Sequence, residues 1–244
     1  MFYVLKKFIK YDLIKQMNKK WRKILWKKYL KKIFEKHETL FCILLIAAYV
    51  VENSYCLQNF GILDYRTTIV NTIFSAFLIV LMIILRRTKY YGLTKVENPK
   101  KYLYFIPLII IISINLWNGI NIKNTKEEII FRGFLFKMME KDNVKSAIIV
   151  SSITFGIGHI VNLLNGADLI PTLIQICYAI SLGYLFVIIF YKSKSLIPCI
   201  ITHQLINSLS IFNIETKSSL YIGAFFFTII PLVYAFYINK TIKE

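Results

Sequence analysis

Residues 169–190 read LIPTLIQICYAISLGYLFVIIF, an apolar run without one charged side chain. At a rise of 1.5 Å per residue, a helix of this length crosses about 30 Å of hydrocarbon. Comparable blocks lie at 39–56, 67–85, 102–117, 144–161, 196–212 and 220–238, the third interrupted by Pro107. A weaker block at 125–139 carries Lys126, Glu127, Glu128 and Arg132. Each block must be helical, because the bilayer core holds no water to satisfy backbone N–H and C=O groups. The expected fold is all-α, a polytopic transmembrane helical bundle of about eight spans. Composition agrees: 57% of the 244 residues are hydrophobic, 18% are charged, and the mean hydropathy is +0.56. A soluble domain would lack the polar surface it needs.

The formal charge of +18 does not point to nucleic acid, because the cations flank apolar blocks. Thirteen of the 31 Lys and Arg residues precede His37, and six more lie between Arg86 and Lys101. This is the positive-inside pattern. It places the N terminus in the cytoplasm, and an even number of spans returns the C terminus, with Lys240 and Lys243, to the same side. The expected location is a cell membrane, crossed several times; the lysine- and isoleucine-rich composition suggests a bacterial source.

Near the N terminus, Leu13, Ile14, Met17, Trp21, Ile24 and Leu25 fall on one side of a helical wheel. Most of Lys15, Lys19, Lys20, Arg22, Lys23 and Lys27 fall on the other. Such a helix lies on a membrane surface with its cations among anionic lipid headgroups. The expected organisation is therefore a basic amphipathic surface helix over 1–36, three spans over 37–119, and a site-bearing core with a final helix over 120–244. Cys42, Cys56, Cys177 and Cys199 show no metal-type spacing and read as small buried hydrophobes. No cleavable signal peptide is evident in the first residues.

Ionisable residues inside spans are costly and mark function by default. Glu128 and Arg132 are four apart and share a helical face, which suits an ion pair. Glu127 points about 100° away from Glu128 and is left without that partner, so a partly desolvated carboxylate stands ready as a general base. Thr125 and Glu128 also fit a capping box, which accounts for one glutamate but not for its neighbour. Phe155 and His159 share a face of the next block, beside Gly156 and Gly158; His203 and Asn207 share a face of another. Meeting in the bundle interior would solve the burial problem of all these groups together.

A carboxylate and an imidazole facing one water make it a nucleophile. Glu127 would take the proton and His159 would orient the water, while His203 and Asn207 would donate hydrogen bonds to a carbonyl oxygen as charge develops on it. Glu127, His159 and His203 with a water are equally a reasonable zinc set, and spacing does not decide between the schemes. No H-E-x-x-H and no G-x-S-x-G occurs. Two other classes remain: a non-catalytic immunity or scaffold protein, and a small transporter. Transporters of that kind often show inverted repeats with broken helices, whereas the interior polar residues here cluster in the second half.

Glu127-Glu128-x-x-x-Arg132-Gly133, then Phe155-x-x-x-His159, then His203-x-x-x-Asn207, in this order on successive helices, resemble the CAAX-protease and bacteriocin-processing family of intramembrane endopeptidases. The resemblance covers roughly residues 120–212. It implies that Glu127 is the catalytic glutamate with Glu128 its less critical neighbour. It further implies a structural Arg132, a water-activating His159, and an oxyanion-stabilising pair in His203 and Asn207. It favours a metal-independent glutamate mechanism and a membrane-associated peptide or protein as substrate, such as a bacteriocin precursor or signalling peptide.

Overall fold

The computed structural model describes residues 30–61, 64–96, 125–210 and 217–242, all helix and short connections. The amphipathic segment at 13–25 and the span expected at 102–117 lie outside the described residues. A short helical segment over 30–36 leads into α1, Glu38–Asn59, and then α2, Tyr65–Ile84. The next segment, α3, comprises Thr125–Glu128, a π-helical stretch Ile129–Phe136, and Lys137–Met139. There follow α4 (Val144–Leu164, tightened to a 3-10 turn at Gly158–Ile160), α5 (Leu169–Ser193), α6 (Ile197–Ser210) and α7 (Lys217–Thr241). Among the described residues, α1, α2, α4, α5 and the Leu220–Thr241 portion of α7 are long and apolar enough to cross a membrane. The protein is a multi-pass membrane protein with an all-α fold.

Helix α5 is the central post and packs against α4 and α7. Its second half, from Leu182 to Phe190, is buried almost all round except at Tyr184, which explains why the sequence there is apolar without periodicity. Helices α1, α2 and α7 are different. Leu40, Ile43 and Val51 on α1, Ile69 and Ile73 on α2, and Phe225 and Phe236 on α7 all face outward. Apolar faces this extensive, on helices long enough to span, are suited to lipid. Three of the four cysteines are buried as expected, but Cys177 is exposed, because it sits on the outward side of α5.

The polar face of α2 turns inward and satisfies itself. Asn71 donates to the Thr67 carbonyl at 2.7 Å and Ser75 to the Asn71 carbonyl at 2.8 Å, each one turn back along the helix. Where α4 crosses α5, glycines let the backbones meet. A Cβ on Gly156 would lie 2.8 Å from the Ile180 nitrogen, and one on Gly183 would lie 3.1 Å from the Ser152 carbonyl oxygen. This is the small-residue contact by which membrane helices associate. Gly156→Ala is therefore expected to wedge α4 from α5 and cost about 1–3 kcal/mol. A thermal midpoint in detergent equal to that of the unaltered protein would refute this packing argument.

One end of the bundle is closed by a polar latch. Glu38, at the start of α1, accepts from the Tyr91 hydroxyl at 3.2 Å and pairs with Lys141. Arg87 pairs with Glu35, and Tyr90 donates to the Lys137 carbonyl at 3.0 Å. Burial, reinforced by the Glu38 charge, pushes the Tyr91 phenol well above its ordinary value, so it stays a donor. Burial pulls the Lys141 amine down, but its bond to Glu38 and the attraction of that charge outweigh this and raise it. The latch fixes the level of α3 and α4 against α1 and α2.

Candidate active site

Helix α3 is buried from Lys126 to Phe136, its lining unusually polar for such depth. The π-helical register of Ile129–Phe136 widens the helix, and Ser151 on α4 donates to the carbonyl of Phe131 within it at 2.9 Å. Such stretches occur disproportionately at functional sites. Just before it, the first turn of α3 places Glu127 and Glu128 side by side, 8% and 0% exposed.

The two carboxylates have different partners. Glu128 Oε1 accepts from Arg132 Nη1 at 3.1 Å, the i,i+4 pair expected from spacing. Arg132 Nη2 donates to the Gly183 carbonyl at 3.3 Å, and the guanidinium lies 4.0 Å from the Phe155 ring centre and 5.3 Å from that of Phe186. An arginine with no solvent exposure is thus held by one acid, one carbonyl and two aromatic faces. Glu128 takes no capping-box role: its side chain is turned inward, and Thr125 Oγ1 instead accepts from Gln204 at 3.3 Å.

His203 on α6 bridges the glutamates. Its Nδ1 lies 2.8 Å from Glu128 Oε1, and its Nε2 lies 3.6 Å from Glu127 Oε2. A carboxylate accepts and does not donate, so Nδ1 carries the hydrogen and Nε2 is the atom turned toward Glu127. Phe155 and Phe186 sandwich the imidazole, with ring centres at 5.3 and 5.5 Å. The other oxygen of Glu127, Oε1, accepts from the Tyr49 hydroxyl on α1 at 2.9 Å.

His159 sits on the 3-10 turn of α4, half-buried, with its ring edge-on to Phe155 at 5.9 Å. Glu127 and His203 are both near enough to act on it electrostatically. Among the described residues its contact is through Phe155, with no hydrogen bond to either. The structure therefore gathers Glu127, Glu128, Arg132, Phe155 and His203 and sets His159 beside them. Asn207 lies one turn beyond His203 on α6, but its side chain is outside the described residues. Among the described residues no three His, Cys, Asp or Glu side chains are arranged to hold a metal ion, so the zinc set Glu127, His159 and His203 does not close.

Two features escaped the sequence reading: Tyr49, and the pairing of buried Lys126 with the half-buried Glu52. The signal lay in α1, where Cys42, Leu45, Tyr49, Glu52 and Cys56 recur every three or four residues and trace one face. A tyrosine and a glutamate on that face need polar partners when buried.

The level of the site along α1 follows from the same contact. Tyr49 lies eleven residues beyond Glu38 on α1, about 16 Å along the axis. Glu127 thus packs against the middle of α1, although it lies in the first turn of its own helix.

These features are those of an intramembrane peptidase fold whose buried glutamates and histidine cluster as in a catalytic site. Residues 98–209 match the family model described as Type II CAAX prenyl endopeptidase Rce1-like, and over that part the chain carries a CAAX-type intramembrane endopeptidase domain. The assignment is consistent with glutamate-type catalysis. No curated protein and no solved structure matches the chain.

Proposed function

We propose that the protein hydrolyses a peptide bond of a membrane-associated peptide or protein, with Glu127 as general base. The observation that carries this reading is the division of labour between neighbouring acids. Glu128 is tied to Arg132 and His203 Nδ1, whereas Glu127 Oε2 faces His203 Nε2 across 3.6 Å. A water held by Glu127 Oε2 loses a proton to the carboxylate as its oxygen attacks the carbonyl carbon. With Nδ1 committed to Glu128, Nε2 gains a hydrogen only by taking a proton from the Glu127 side. It then becomes a charged donor to the new oxyanion, with Asn207 alongside, in line with the family pattern. Collapse breaks the C–N bond, and the proton passes to the departing amine. His159, set beside this cluster through Phe155, orients the nucleophile. Arg132 and Phe155 hold the framework.

The basic residues around the Glu38 latch and the linker after α2 favour a cytoplasmic position for that end, with both termini on the same side. The basic N-terminal segment would rest on anionic headgroups. A bacterial peptide precursor in the membrane remains the substrate class that best suits the composition. A non-catalytic immunity or scaffold role is the rival.

The test uses the purified full chain in lipid vesicles with quenched fluorescent peptides, each made with and without a prenylated cysteine. Cleavage is expected to persist unchanged with a strong chelator, since no metal-holding trio forms among the described residues. Loss of cleavage on chelation with recovery on adding zinc would overturn the glutamate-only scheme. No cleavage of any of these peptides would favour the non-catalytic rival.

A further inference from the structure

Helix α1 lies wholly outside residues 98–209, yet it supplies a contact to the proposed base. Building on the peptidase reading above, we infer that Tyr49 is a positioning residue that holds the Glu127 carboxylate in its reactive orientation, with the Lys126–Glu52 pair as its brace.

Among the described residues Glu127 has no lysine or arginine partner, because the nearby guanidinium is engaged by Glu128. A carboxylate in that position is free to turn about its terminal bonds unless something fixes it. The Tyr49 hydroxyl does so by donating to Oε1 at 2.9 Å, which leaves Oε2 directed at His203. The phenol is itself held rigidly. Its ring is 6% exposed and meets Phe131 edge-on at 5.9 Å. The Lys126 ammonium lies 5.3 Å from its ring centre.

Lys126 is in turn fixed by Glu52, which stands three residues beyond Tyr49 on the same face of α1. Lys126 and Glu127 are adjacent in sequence, so α1 grips α3 at two successive residues. One grip is an ion pair, and the other is a hydrogen bond to the base. The ion pair does a second thing. With Glu52 occupying Lys126, the ammonium is kept from folding back onto Glu127, where it would tie up the carboxylate.

Tyr49→Phe separates packing from positioning, because the ring and its contacts remain while the hydroxyl goes. Cleavage of the vesicle-bound peptides is measured alongside the thermal midpoint for the unaltered chain, Tyr49→Phe and Glu127→Gln. Misplacement of a catalytic group by about an ångström costs on the order of 100-fold, so Tyr49→Phe is expected to lower kcat about 10- to 100-fold. KM should stay within about twofold and the thermal midpoint should not move.

The inference is overturned on its own if Glu127→Gln is inactive while Tyr49→Phe keeps the unaltered kcat. It is equally overturned if the loss appears in KM, or if it accompanies a matching fall in the thermal midpoint, since either marks a merely structural role. If the unaltered chain and Glu127→Gln release peptide equally, the peptidase reading itself fails and the positioning role falls with it.

Discussion

Glu127→Gln should yield a folded protein that no longer cleaves. The amide is nearly isosteric, and its oxygen can still accept from Tyr49, so the contact of α1 with α3 survives. What disappears is the capacity to take a proton from water. General-base assistance contributes roughly 10²–10⁴-fold, and the rate is expected to fall by that much with the thermal midpoint retained. A variant that cleaves at the unaltered rate would remove Glu127 from the mechanism and leave the membrane protein without a demonstrated base. The neighbouring Glu128→Gln should behave differently, because it strips a buried guanidinium of its counter-charge and loosens the anchor of His203. Its damage should appear first in stability.

Arg132→Met is expected to be the most destabilising single change at the site. The arginine has no solvent exposure, and its loss leaves the Glu128 carboxylate buried beside His203 without its cation. Breaking a buried pair by removing one partner costs about 3–5 kcal/mol. A steep drop in thermal midpoint and in the yield of folded protein from membranes should report it. The paired change Glu128→Leu with Arg132→Met then gives a sharper reading. Removing both charges together is often neutral or stabilising, so the midpoint should recover. Activity should not recover, because His203 has lost the acceptor that orients its ring. A fully stable Arg132→Met single variant would contradict the account of the ion pair, and an active double variant would contradict the anchoring role of Glu128.

Much of the site was legible before any coordinates. The i,i+4 relation of Glu128 to Arg132 is a property of helix geometry alone, and the structure shows that pair at 3.1 Å. Phe155 and His159 likewise share a face because of their spacing, and their rings meet. Glu127 has no such partner within its own helix, and the sequence reading expected it to meet His159, His203 and Asn207 in the bundle interior. That expectation did not include Tyr49. Its contacts come from Tyr49, seventy-eight residues earlier, and from His203 on α6.

The capping reading of Thr125 and Glu128 failed for a related reason. A first-turn glutamate in water bonds the helix end, but here a buried arginine and imidazole offered stronger partners.

What the amino-acid order determined by itself was the class of solvent and the local periodicities: apolar blocks that demand helices in lipid, cations at their ends, and acids and imidazoles that lipid does not tolerate singly. Only tertiary structure decided which of those polar groups met, because hydrogen bonds between helices depend on distances that no spacing along one chain specifies. The partition of the two glutamates, one locked to a guanidinium and one left to a phenol and an imidazole nitrogen, belongs entirely to that second level.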